Sequence, residues 1–491
     1  MKLIYGNIYT RVTEVDTRDI AFLRTVLTFS ELEEKLYVNG LSLFERDNKF
    51  LSGLAPLVIS KLESANLPYE LEGFPALPDS LPDVGPDLLH GVTLHQYQVS
   101  IANKALYRKR GLVVSPTGSG KTIVSAAIAK WISDHIGGNT LMVVPGLNSL
   151  NQMADRWEDY GLGPIGRLGG GQHTIKQRHV IAVVNSLYQL SQKRSPEFLH
   201  FLKQVNCIMW MEVQHLGART WVDSGKLCDA EYRIGLSATP FSGSKGPVFK
   251  SDYAIVGMTG DPVVTLSDAM LMDMGYMATP RVHLLKASSS GIGAERNWLT
   301  VKRYGINHNA SRNQKIIDVS SGLAKKGRKV ITLVSEISHG KELARAISLE
   351  IGVVYMFHGG SILHTYLSGK LQQTERTPIY TLAKRLADDD SYVLIGSPAV
   401  DEDADFPDAN VMILAGAGRA YRRVIQRIGR VLRPKEGENV VDIVDFSDRG
   451  SYVLQAQSAV RKRYMIERFG AAKNFKVIYH DESDQVINAI S

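Results

Sequence analysis

Short apolar runs alternate with amphipathic segments along most of the chain, and this pattern predicts its elements. In the first half the runs predict strands at 111–114, 140–144 and 180–184 and helices at 122–135 and 150–160. In the second half, after Pro280, they predict strands at 329–334, 351–357, 391–395, 411–415 and 440–444. Strands that alternate with helices in this way are typical of a parallel sheet with helices on both faces. We therefore predict two α/β halves of about 200 residues each.

The first 74 residues form a separate region in this pattern. They combine strand-like pieces at 3–12 with a predicted helix at 55–65. Four prolines then fall between Pro75 and Pro86, where neither a helix nor a central strand can continue. We interpret residues 1–74 as a small α+β accessory domain, with DNA binding as a candidate role, and residues 75–90 as a linker.

The composition is that of an ordinary globular protein of about three domains. Of 491 residues, 44% are hydrophobic and 22% are charged, and no run of 18 or more uncharged apolar residues occurs. We therefore expect no membrane-spanning helix. The N-terminus turns polar too soon for a signal peptide, so we expect a cytoplasmic protein. The two cysteines, Cys207 and Cys228, lack metal-ligand spacing.

The charge balance is slightly basic and fits a polyanionic partner. Lys and Arg number 57 against 50 Asp and Glu, which gives a formal net charge of +7 and a pI near 9.1. Residues 419–435 hold seven basic residues and no acidic one, whereas residues 401–408 hold five acidic residues. Solvated faces also produce such runs, so charge alone does not identify a nucleic-acid partner.

A glycine-rich loop follows the first predicted strand of the α/β region. Its sequence, Ser-Pro-Thr-Gly-Ser-Gly-Lys-Thr at 115–122, lies between the strand at 111–114 and the helix at 122–135. Glycines let backbone N–H groups converge on phosphate oxygens, and the helix N-terminus adds its positive end. Lys121 can neutralise phosphate charge, and the Thr122 hydroxyl can bind Mg²⁺. This context predicts a site for nucleotide phosphates.

Two further polar motifs follow predicted strands. An apolar run at 205–210 ends in Met211 and Glu212, and a carboxylate at such a strand end can face the phosphates. A second strand leads into Gly-Leu-Ser-Ala-Thr-Pro at 235–240, which on its own is a weak signal.

Together these motifs resemble those of superfamily 2 helicases. The phosphate loop, Glu212 and the run at 237–240 are followed in the same order by Ile-Gly-Ser at 395–397, Asp-Phe-Pro at 405–407 and Gln-Arg-Ile-Gly-Arg-Val-Leu-Arg at 426–433. The resemblance spans about 92–470 and favours phage branched-DNA helicases of the UvsW type and the related XPB-like group, partly through Leu-His-Gln-Tyr-Gln at 94–98. It implies an α/β fold of two tandem RecA-like domains, at 91–282 and 283–491, in a bacterial or phage-infected host cytosol.

The resemblance implies a nucleotide site for ATP and Mg²⁺. Gln98 would contact the adenine, Asp405 would belong to the same site, and the phosphates would be held by Thr117, Gly118, Ser119, Gly120, Lys121 and Thr122. Thr122 would bind Mg²⁺ directly, and Glu212 would position the attacking water and act on the metal through water. The implied catalytic set is Lys121, Glu212, Gln426, Arg430 and Arg433, whose arginines reach the γ-phosphate from the second domain.

The resemblance also implies contacts to DNA. Pro145, Asn185 and Ser186 occupy positions where family members contact the DNA backbone. Ser237, Ala238 and Thr239 would couple the nucleotide site to the DNA.

Three positions depart from the family pattern, and the first two bear directly on catalysis. Where the family has an aspartate that holds Mg²⁺ through its water shell, this chain has Met211, whose thioether is a soft and neutral ligand. Asp403 stands where glycine is usual and adds negative charge beside phosphates. Gln214 replaces a histidine but can still form hydrogen bonds across the cleft. We therefore expect weakened hydrolysis.

The sequence leaves two functions open. The first is an ATP-dependent DNA helicase or translocase, favoured as a monomer, that acts on duplex, forked or branched DNA in repair or recombination. The second is a non-catalytic helicase-like DNA-binding or assembly protein, which explains Met211 and Asp403 directly. A nuclease subunit, the third class, would need a metal-binding carboxylate cluster outside the helicase core, and the sequence offers none.

Overall fold

The computed structural model divides the chain into two compact units. It describes residues 1–33, 36–193, 195–243, 246–288, 292–397, 406, 408–416, 418, 428–429, 431–434, 437 and 439–490. The first unit comprises residues 1–116 and 120–266, and the second comprises residues 117–119 and 267–491. The two compact units divide between residues 266 and 267, and the domain boundary at 282/283 stays a prediction.

The N-terminal region is a small α+β module with its own sheet. Its elements are β1 Lys2–Ile4, β2 Tyr9–Thr13, α1 Thr17–Val26, β3 Thr28–Glu33, β4 Leu36–Ser42, β5 Lys49–Leu51, α2 Ala55–Ser64 and β6 Glu70–Glu72. Four strands form a sheet in the order β5-β2-β1-β6, and β3 pairs with β4. The strand pieces predicted at 3–12 and the helix predicted at 55–65 are confirmed.

The N-terminal module packs closely against the rest of the first unit. Gly53 lies so near the helix Lys250–Thr259 that a Cβ atom on it would collide with the Val256 carbonyl oxygen. A Cβ atom on Gly257 would in turn lie 2.8 Å from the Leu51 Cβ. Buried residues of the module and of this helix belong to one hydrophobic cluster. The two glycines therefore allow the module and the helix to share a core.

Residues 75–90 run along the first unit without helix or strand. Trp131 donates its indole N–H to the Pro82 carbonyl oxygen at 2.8 Å, and the Val84 N–H donates to Asn103 Oδ1 at 2.8 Å. Val84 and Leu89 are buried. The segment predicted as a linker is therefore anchored to its unit, although its prolines keep it out of the regular elements.

The remainder of the first unit is a largely parallel sheet with helices. Its elements are α3 Gln96–Arg108, β7 Arg110–Val114, α4 Lys121–His135, β8 Asn139–Val144, α5 Leu147–Asp159, β9 Gly166–Gly169, β10 Gln172–His173, β11 His179–Val183, α6 Val184–Lys193, α7 Pro196–Gln204, β12 Val205–Met211, α8 Arg219–Gly225, β13 Tyr232–Ser237, α9 Lys250–Thr259 and β14 Pro262–Thr265. The strand order is β10-β9-β11-β8-β12-β13-β7-β14, and each neighbouring pair is parallel except β10-β9. The elements predicted for this half are confirmed, with ends that differ by a few residues.

The central strands are apolar because helices cover both faces of a parallel sheet. Every residue of β11 and β13 is buried. One of these buried residues, Arg233, is charged. Its guanidinium donates hydrogen bonds to the carbonyl oxygens of Gly225, Cys228 and Met258 at 2.8, 2.8 and 3.0 Å. These three bonds satisfy the buried guanidinium, whose pKa burial lowers to about 10.

The second unit is built on another sheet. Its elements are α10 Asp268–Asp273, β15 Thr279–Ser288, α11 Trp298–Lys302, α12 Ala310–Lys325, β16 Lys329–Leu333, α13 Ile337–Ile351, β17 Val353–His358, β18 Ile362–Leu367, β19 Lys370–Arg376, α14 Ile379–Ala387, β20 Tyr392–Gly396, β21 Val411–Leu414, β22 Val440–Arg449, α15 Tyr452–Phe469, β23 Lys476–His480 and α16 Ser483–Ile490. The strand order is β19-β18-β17-β20-β16-β21-β22-β15-β23, and only the β17-β18 and β18-β19 pairs are antiparallel. The five strands predicted for this half are confirmed, and the apolar pattern did not predict β15, β23 or the β18-β19 hairpin.

Several predicted positions lie outside the described residues. These are Asp403, Asp405, Gln426 and Arg430. Within the described part of the chain, no helix is both long enough and apolar enough to cross a bilayer.

Candidate functional site

The predicted site residues of the first unit lie where parallel strands end at one edge of the sheet. Across the sheet from β11 to β7, the strand ends lead in turn to Asn185 and Ser186, Pro145, Glu212, Ser237 and the phosphate loop at 115–120. Neighbouring strands are about 4.8 Å apart. Parallel α/β sheets bind their ligands at this carboxyl edge. Residues separated by more than 100 positions in the sequence are therefore brought to one edge.

The phosphate loop has the backbone that phosphate binding requires. Gly118 and Gly120 have φ angles of +90° and +80°, in the region that only glycine adopts without penalty. Helix α4 begins at Lys121, so its first-turn N–H groups are directed towards the loop. The Lys121 ammonium donates to the carbonyl oxygens of Pro116 at 2.9 Å and Ser115 at 3.2 Å. The lysine ammonium is thus held beside the loop.

Gln98 is packed against the same loop. Its Oε1 accepts the His95 N–H at 2.9 Å, which caps the start of α3. Its Nε2 lies so near Gly120 that a Cβ atom there would collide with it. The backbone angle therefore favours glycine at position 120, and a larger residue there would also displace the Gln98 amide. Contact between Gln98 and the adenine stays a prediction.

A chain of hydrogen bonds joins Glu212 to the end of the neighbouring strand. The Gln214 Nε2 donates to Glu212 Oε2 at 2.7 Å, and the Gln214 Oε1 accepts the Ser237 hydroxyl at 2.6 Å. The Ser237 Oγ in turn accepts the Thr239 N–H at 3.0 Å. Gln214 therefore uses both ends of its amide to connect the carboxylate with the loop after β13.

The same strand end is connected to the phosphate loop. The Ser115 N–H donates to the Ser237 carbonyl oxygen at 3.0 Å. Ser237 is therefore bonded both to Gln214, the partner of Glu212, and to Ser115 at the start of the phosphate loop. The sequence indicated Ser237, but the pairing of Gln214 with it depends on strand order and could not be read from the motif.

Glu212 has an unusual backbone conformation. Its φ and ψ angles are +54° and +53°, in the left-handed region, which costs about 1 kcal/mol for a residue with a Cβ atom. The preceding Met211 is the last residue of β12, lies in register with Leu236 and is only 8% exposed. The chain therefore turns sharply at Glu212, and strain of this kind is often found at functional sites.

The donor atoms fit a nucleotide better than they fit a free metal ion. Thr122 supplies a hydroxyl, whereas Met211 supplies a thioether where a hard oxygen would suit Mg²⁺. Among the described residues, no group of three or more His, Cys, Asp or Glu side chains could hold a metal ion. The binding of Mg²⁺ by Thr122 stays a prediction.

The predicted DNA-contact residues differ in exposure. Asn185 is exposed in the first turn of α6, and Ser186 and Pro145 are half-buried. Ser237, Ala238 and Thr239 are buried. The first group is accessible to a bound strand, whereas the second can act on DNA only through other residues.

Little of the arginine motif predicted in the second unit is described. Of the predicted arginine motif, Arg433 is described and is half-buried, while Gln426 and Arg430 lie outside the described residues.

Two buried ion pairs in this unit were not indicated by any sequence motif. Arg312 pairs with Asp448 at 3.1 Å and donates to the Ala415 carbonyl oxygen at 2.6 Å. Arg461 pairs with Asp445 at 2.8 Å. The partners are 136 and 16 residues apart in the sequence, and no motif joins them, so only the folded chain shows that they pair.

Comparisons with known proteins agree with this arrangement. Residues 91–242 match the family described as type III restriction enzyme, res subunit, and residues 311–435 match the helicase conserved C-terminal domain. The DNA 3'-5' translocase XPB2 of Sulfurisphaera tokodaii is 24% identical over 388 residues, which cover 73% of this chain and 82% of that protein. The ATP-dependent DNA helicase uvsW of Enterobacteria phage T4 is 25% identical over 386 residues, which cover 76% and 71%.

Solved structures show the same fold. The ATP-dependent type ISP restriction-modification enzyme LlaBIII bound to DNA has a TM-score of 0.58 at 13% identity, over 80% of this chain and 31% of that one. The S. cerevisiae Dbp5 structure, bound to RNA and ADP BeF3, has a TM-score of 0.54 at 13% identity, over 82% and 93% of the two chains. At these identities the likeness concerns the fold alone.

Proposed function

Because this chain is, at the level of the family, a superfamily 2 helicase that resembles the UvsW and XPB-like proteins, we propose that it is an ATP-dependent DNA helicase or translocase. Its substrate is duplex DNA, including forks and branches, and its role lies in repair or recombination. The proposal is supported by both family matches and by relatives that are named as DNA translocases or DNA helicases.

One observation carries the proposal: the chain of hydrogen bonds from Glu212 through Gln214 to Ser237. Glu212 is the carboxylate suited to orient the attacking water, and Ser237 is bonded to the phosphate loop through Ser115. A motor must couple hydrolysis to a change in its affinity for DNA. This series of hydrogen bonds provides a physical route for the coupling.

Each residue of the nucleotide site has a distinct task. The N–H groups of the phosphate loop and the Lys121 ammonium bind and orient the phosphates. Gln98 holds the loop in shape from the side of Gly120. Glu212 accepts a proton from, or orients, the water that attacks the terminal phosphate. Mg²⁺ bound with the nucleotide supplies charge neutralisation, and Thr122 is the residue that would hold it. Arg433, with Gln426 and Arg430, belongs to the proposed group that stabilises the transition-state charge, and Asp405 belongs to the same nucleotide site.

Met211 is the observation that favours a second function. Without a carboxylate at position 211 the magnesium is less firmly anchored, and hydrolysis is expected to be slow. Such a chain would bind nucleotide and DNA without efficient turnover and serve as a DNA-binding or assembly protein.

Measurement of DNA-stimulated ATP hydrolysis separates the two functions. The unchanged chain is compared with Met211→Asp, with Met211→Leu, which removes sulfur but adds no ligand, and with Lys121→Ala, which removes the phosphate cation. We expect Met211→Asp to raise turnover by roughly 10- to 100-fold, as restoration of an outer metal contact does. Met211→Leu should behave as the unchanged chain, and Lys121→Ala should be inactive.

The other outcomes have definite meanings. If the unchanged chain already hydrolyses ATP at the rate of Met211→Asp, the proposed function stands and the argument about Met211 is wrong. If neither form hydrolyses ATP although both bind DNA, the non-catalytic function replaces it.

A further inference from the structure

We propose that an aromatic surface on the second unit binds single-stranded DNA by stacking unpaired bases on exposed rings. The aromatic surface consists of Trp298, Leu299, Arg303, Tyr304 and Tyr452. The inference rests on the proposed function, because it identifies the part of this unit that contacts DNA and specifies that the DNA bound there is single-stranded. No motif of the sequence indicated these residues.

The aromatic surface lies at the carboxyl edge of the second sheet. The segment at 292–307 follows β15, and Tyr452 follows β22, which pairs in parallel with β15 along its whole length. The two segments are in contact, because the Tyr452 N–H donates to the Gly293 carbonyl oxygen at 3.4 Å. As in the first unit, this is the edge where parallel α/β sheets bind their ligands.

A small buried cluster holds the surface in shape. Ile292, Val301, Ile306 and Leu454 are buried together and join the segment at 292–307 to the start of α15. Lys302 forms an ion pair with Glu336 at 2.6 Å, which ties the segment to the loop after β16. The exposed rings therefore belong to a segment that is already fixed in place. Less conformational entropy is lost when such a segment binds a ligand.

A π-helical turn shapes the end of this segment. It covers Arg303–Asn307, and the His308 N–H donates to the Arg303 carbonyl oxygen at 2.8 Å. Gly305 allows the turn to pack, since a Cβ atom there would lie 2.8 Å from Leu454 Cδ1. Single π turns are frequent at functional sites. Here the turn carries Tyr304 in an exposed position.

The large apolar side chains of the surface are open to solvent. Tyr304 is 53% exposed, Tyr452 is 72% exposed and Leu299 is 75% exposed. Trp298 is 36% exposed, whereas each of the other four tryptophans of the chain is at most 6% exposed. Trp298, Leu299 and Tyr304 lie in one segment, and this segment contacts the chain at Tyr452. Exposed apolar side chains that lie close together are typical of a binding site.

The charges around the rings suit a polyanion. Residues 292–308 include three basic side chains and one acidic side chain. The Arg303 guanidinium lies 5.5 Å from the centre of the Tyr304 ring. The carboxylate of Glu295 accepts the N–H groups of Arg296 and Asn297, and that of Glu336 is paired with Lys302. Cations beside exposed rings are the combination with which proteins bind single-stranded nucleic acid, since phosphates meet the charges and bases stack on the rings.

Trp298 provides a direct measurement. Because it is the tryptophan that solvent reaches, acrylamide quenching of tryptophan fluorescence should report mainly on it. Addition of an oligothymidylate of about 20 nucleotides should lower the quenching constant of the full chain, because a stacked base shields the ring. In Trp298→Leu both the quenchable component and the effect of the oligonucleotide should disappear.

Binding measurements with variants complete the test. Tyr452→Leu combined with Trp298→Leu should weaken binding of the oligothymidylate by roughly tenfold or more, whereas Tyr452→Phe should retain it. Arg303→Gln should lower the slope of log affinity against log salt by about one. Tyr479→Leu is the matched control, because Tyr479 is also exposed and lies beside a cation, Lys462, but belongs to strand β23.

The results separate this inference from the proposed function. If the unchanged chain binds the oligothymidylate and the double variant binds it equally well, the inference is wrong and the helicase function is untouched. Equal weakening for single-stranded and blunt duplex DNA would also overturn it, because a duplex offers no unpaired bases to the rings. If the full chain binds no DNA at all and Met211→Asp shows no DNA-stimulated hydrolysis, the proposed function fails and the inference fails with it.

Discussion

The Ser237 hydroxyl donates a hydrogen bond to Gln214 Oε1 at 2.6 Å, and this contact joins the ends of two neighbouring strands, β12 and β13. Gln214 also donates to the carboxylate of Glu212, and Ser237 is bonded through its carbonyl oxygen to Ser115 at the phosphate loop. A single amide side chain therefore stands between the proposed water-orienting carboxylate and the residue proposed to couple it to DNA.

Replacement of Gln214 should separate DNA binding from hydrolysis. In a Met211→Asp background, Gln214→Ala should reduce DNA-stimulated ATP turnover by roughly tenfold, because a hydrogen bond to a charged group is lost. Binding of ATP and of DNA should change little, since Gln214 belongs to neither the phosphate loop nor the exposed face. The measurements are hydrolysis with and without DNA and the two binding affinities.

Two comparisons make this prediction specific. Gln214→His, which can still bond to both neighbours, should keep most of the stimulation. Gln204→Ala changes an exposed glutamine at the end of α7 and should have no effect. If Gln214→Ala retained full DNA stimulation, the coupling route through Ser237 would be excluded.

Gly53→Ala should loosen the N-terminal module. The added methyl group would collide with the Val256 carbonyl oxygen, so the module must shift away from α9, at a cost of about 1–3 kcal/mol. We expect a lower melting temperature and faster proteolytic cleavage in the segment at 75–90. Gly85→Ala is the control, because nothing lies within 4 Å of a Cβ atom there. Equal stability of the two variants would show that the close contact is not required.

Arg233→Met should destabilise the first unit strongly. The carbonyl oxygens of Gly225, Cys228 and Met258 would lose their buried donor, at a cost of about 3 kcal/mol or more. For a unit of this size that cost corresponds to a fall of roughly 6–12 °C in melting temperature. Arg219→Met, at an exposed arginine of α8, should change the melting temperature little. Similar melting curves for the two variants would contradict the structural role of Arg233.

Stability of the first unit should fall in mild acid because of His179. This ring is buried beside Thr140, whose Oγ lies 2.8 Å from Nδ1, and burial lowers its pKa from 6.5 to about 4. The unfolded chain binds a proton at His179 near pH 6.5, whereas the folded chain binds it only near pH 4. Stability from this group is therefore fully present above pH 6.5 and is lost as the pH falls towards 4, by on the order of 3 kcal/mol in total.

His179→Gln should flatten this part of the pH dependence, because glutamine does not titrate. Melting temperatures measured at several pH values between 7.5 and 4 provide the test. His173→Gln removes an exposed histidine and should leave the slope as it is in the unchanged chain. An unchanged slope in His179→Gln would show that other groups cause the acid sensitivity.

Local patterns were sufficient for much of the fold. The strands around the phosphate loop are continuous apolar runs because both faces of a parallel sheet are buried, and glycines at 118 and 120 mark backbone angles that only glycine adopts readily. The strand β15 was missed because Pro280 lies near its start and charged residues interrupt its apolar run. The hairpin β18-β19 was missed because most residues of β19 are exposed and give no apolar signal.

The sequence by itself determined the order of the motifs, the phosphate loop and the two α/β halves, because each depends on residues that are neighbours along the chain. Only the tertiary structure decided that Gln214 meets Ser237, that Gly53 faces Val256 and that Tyr452 lies beside the segment at 292–307. These contacts depend on which strands pair and on how closely backbones approach. Strand order is set by packing of the whole sheet, and no local pattern of residues specifies it.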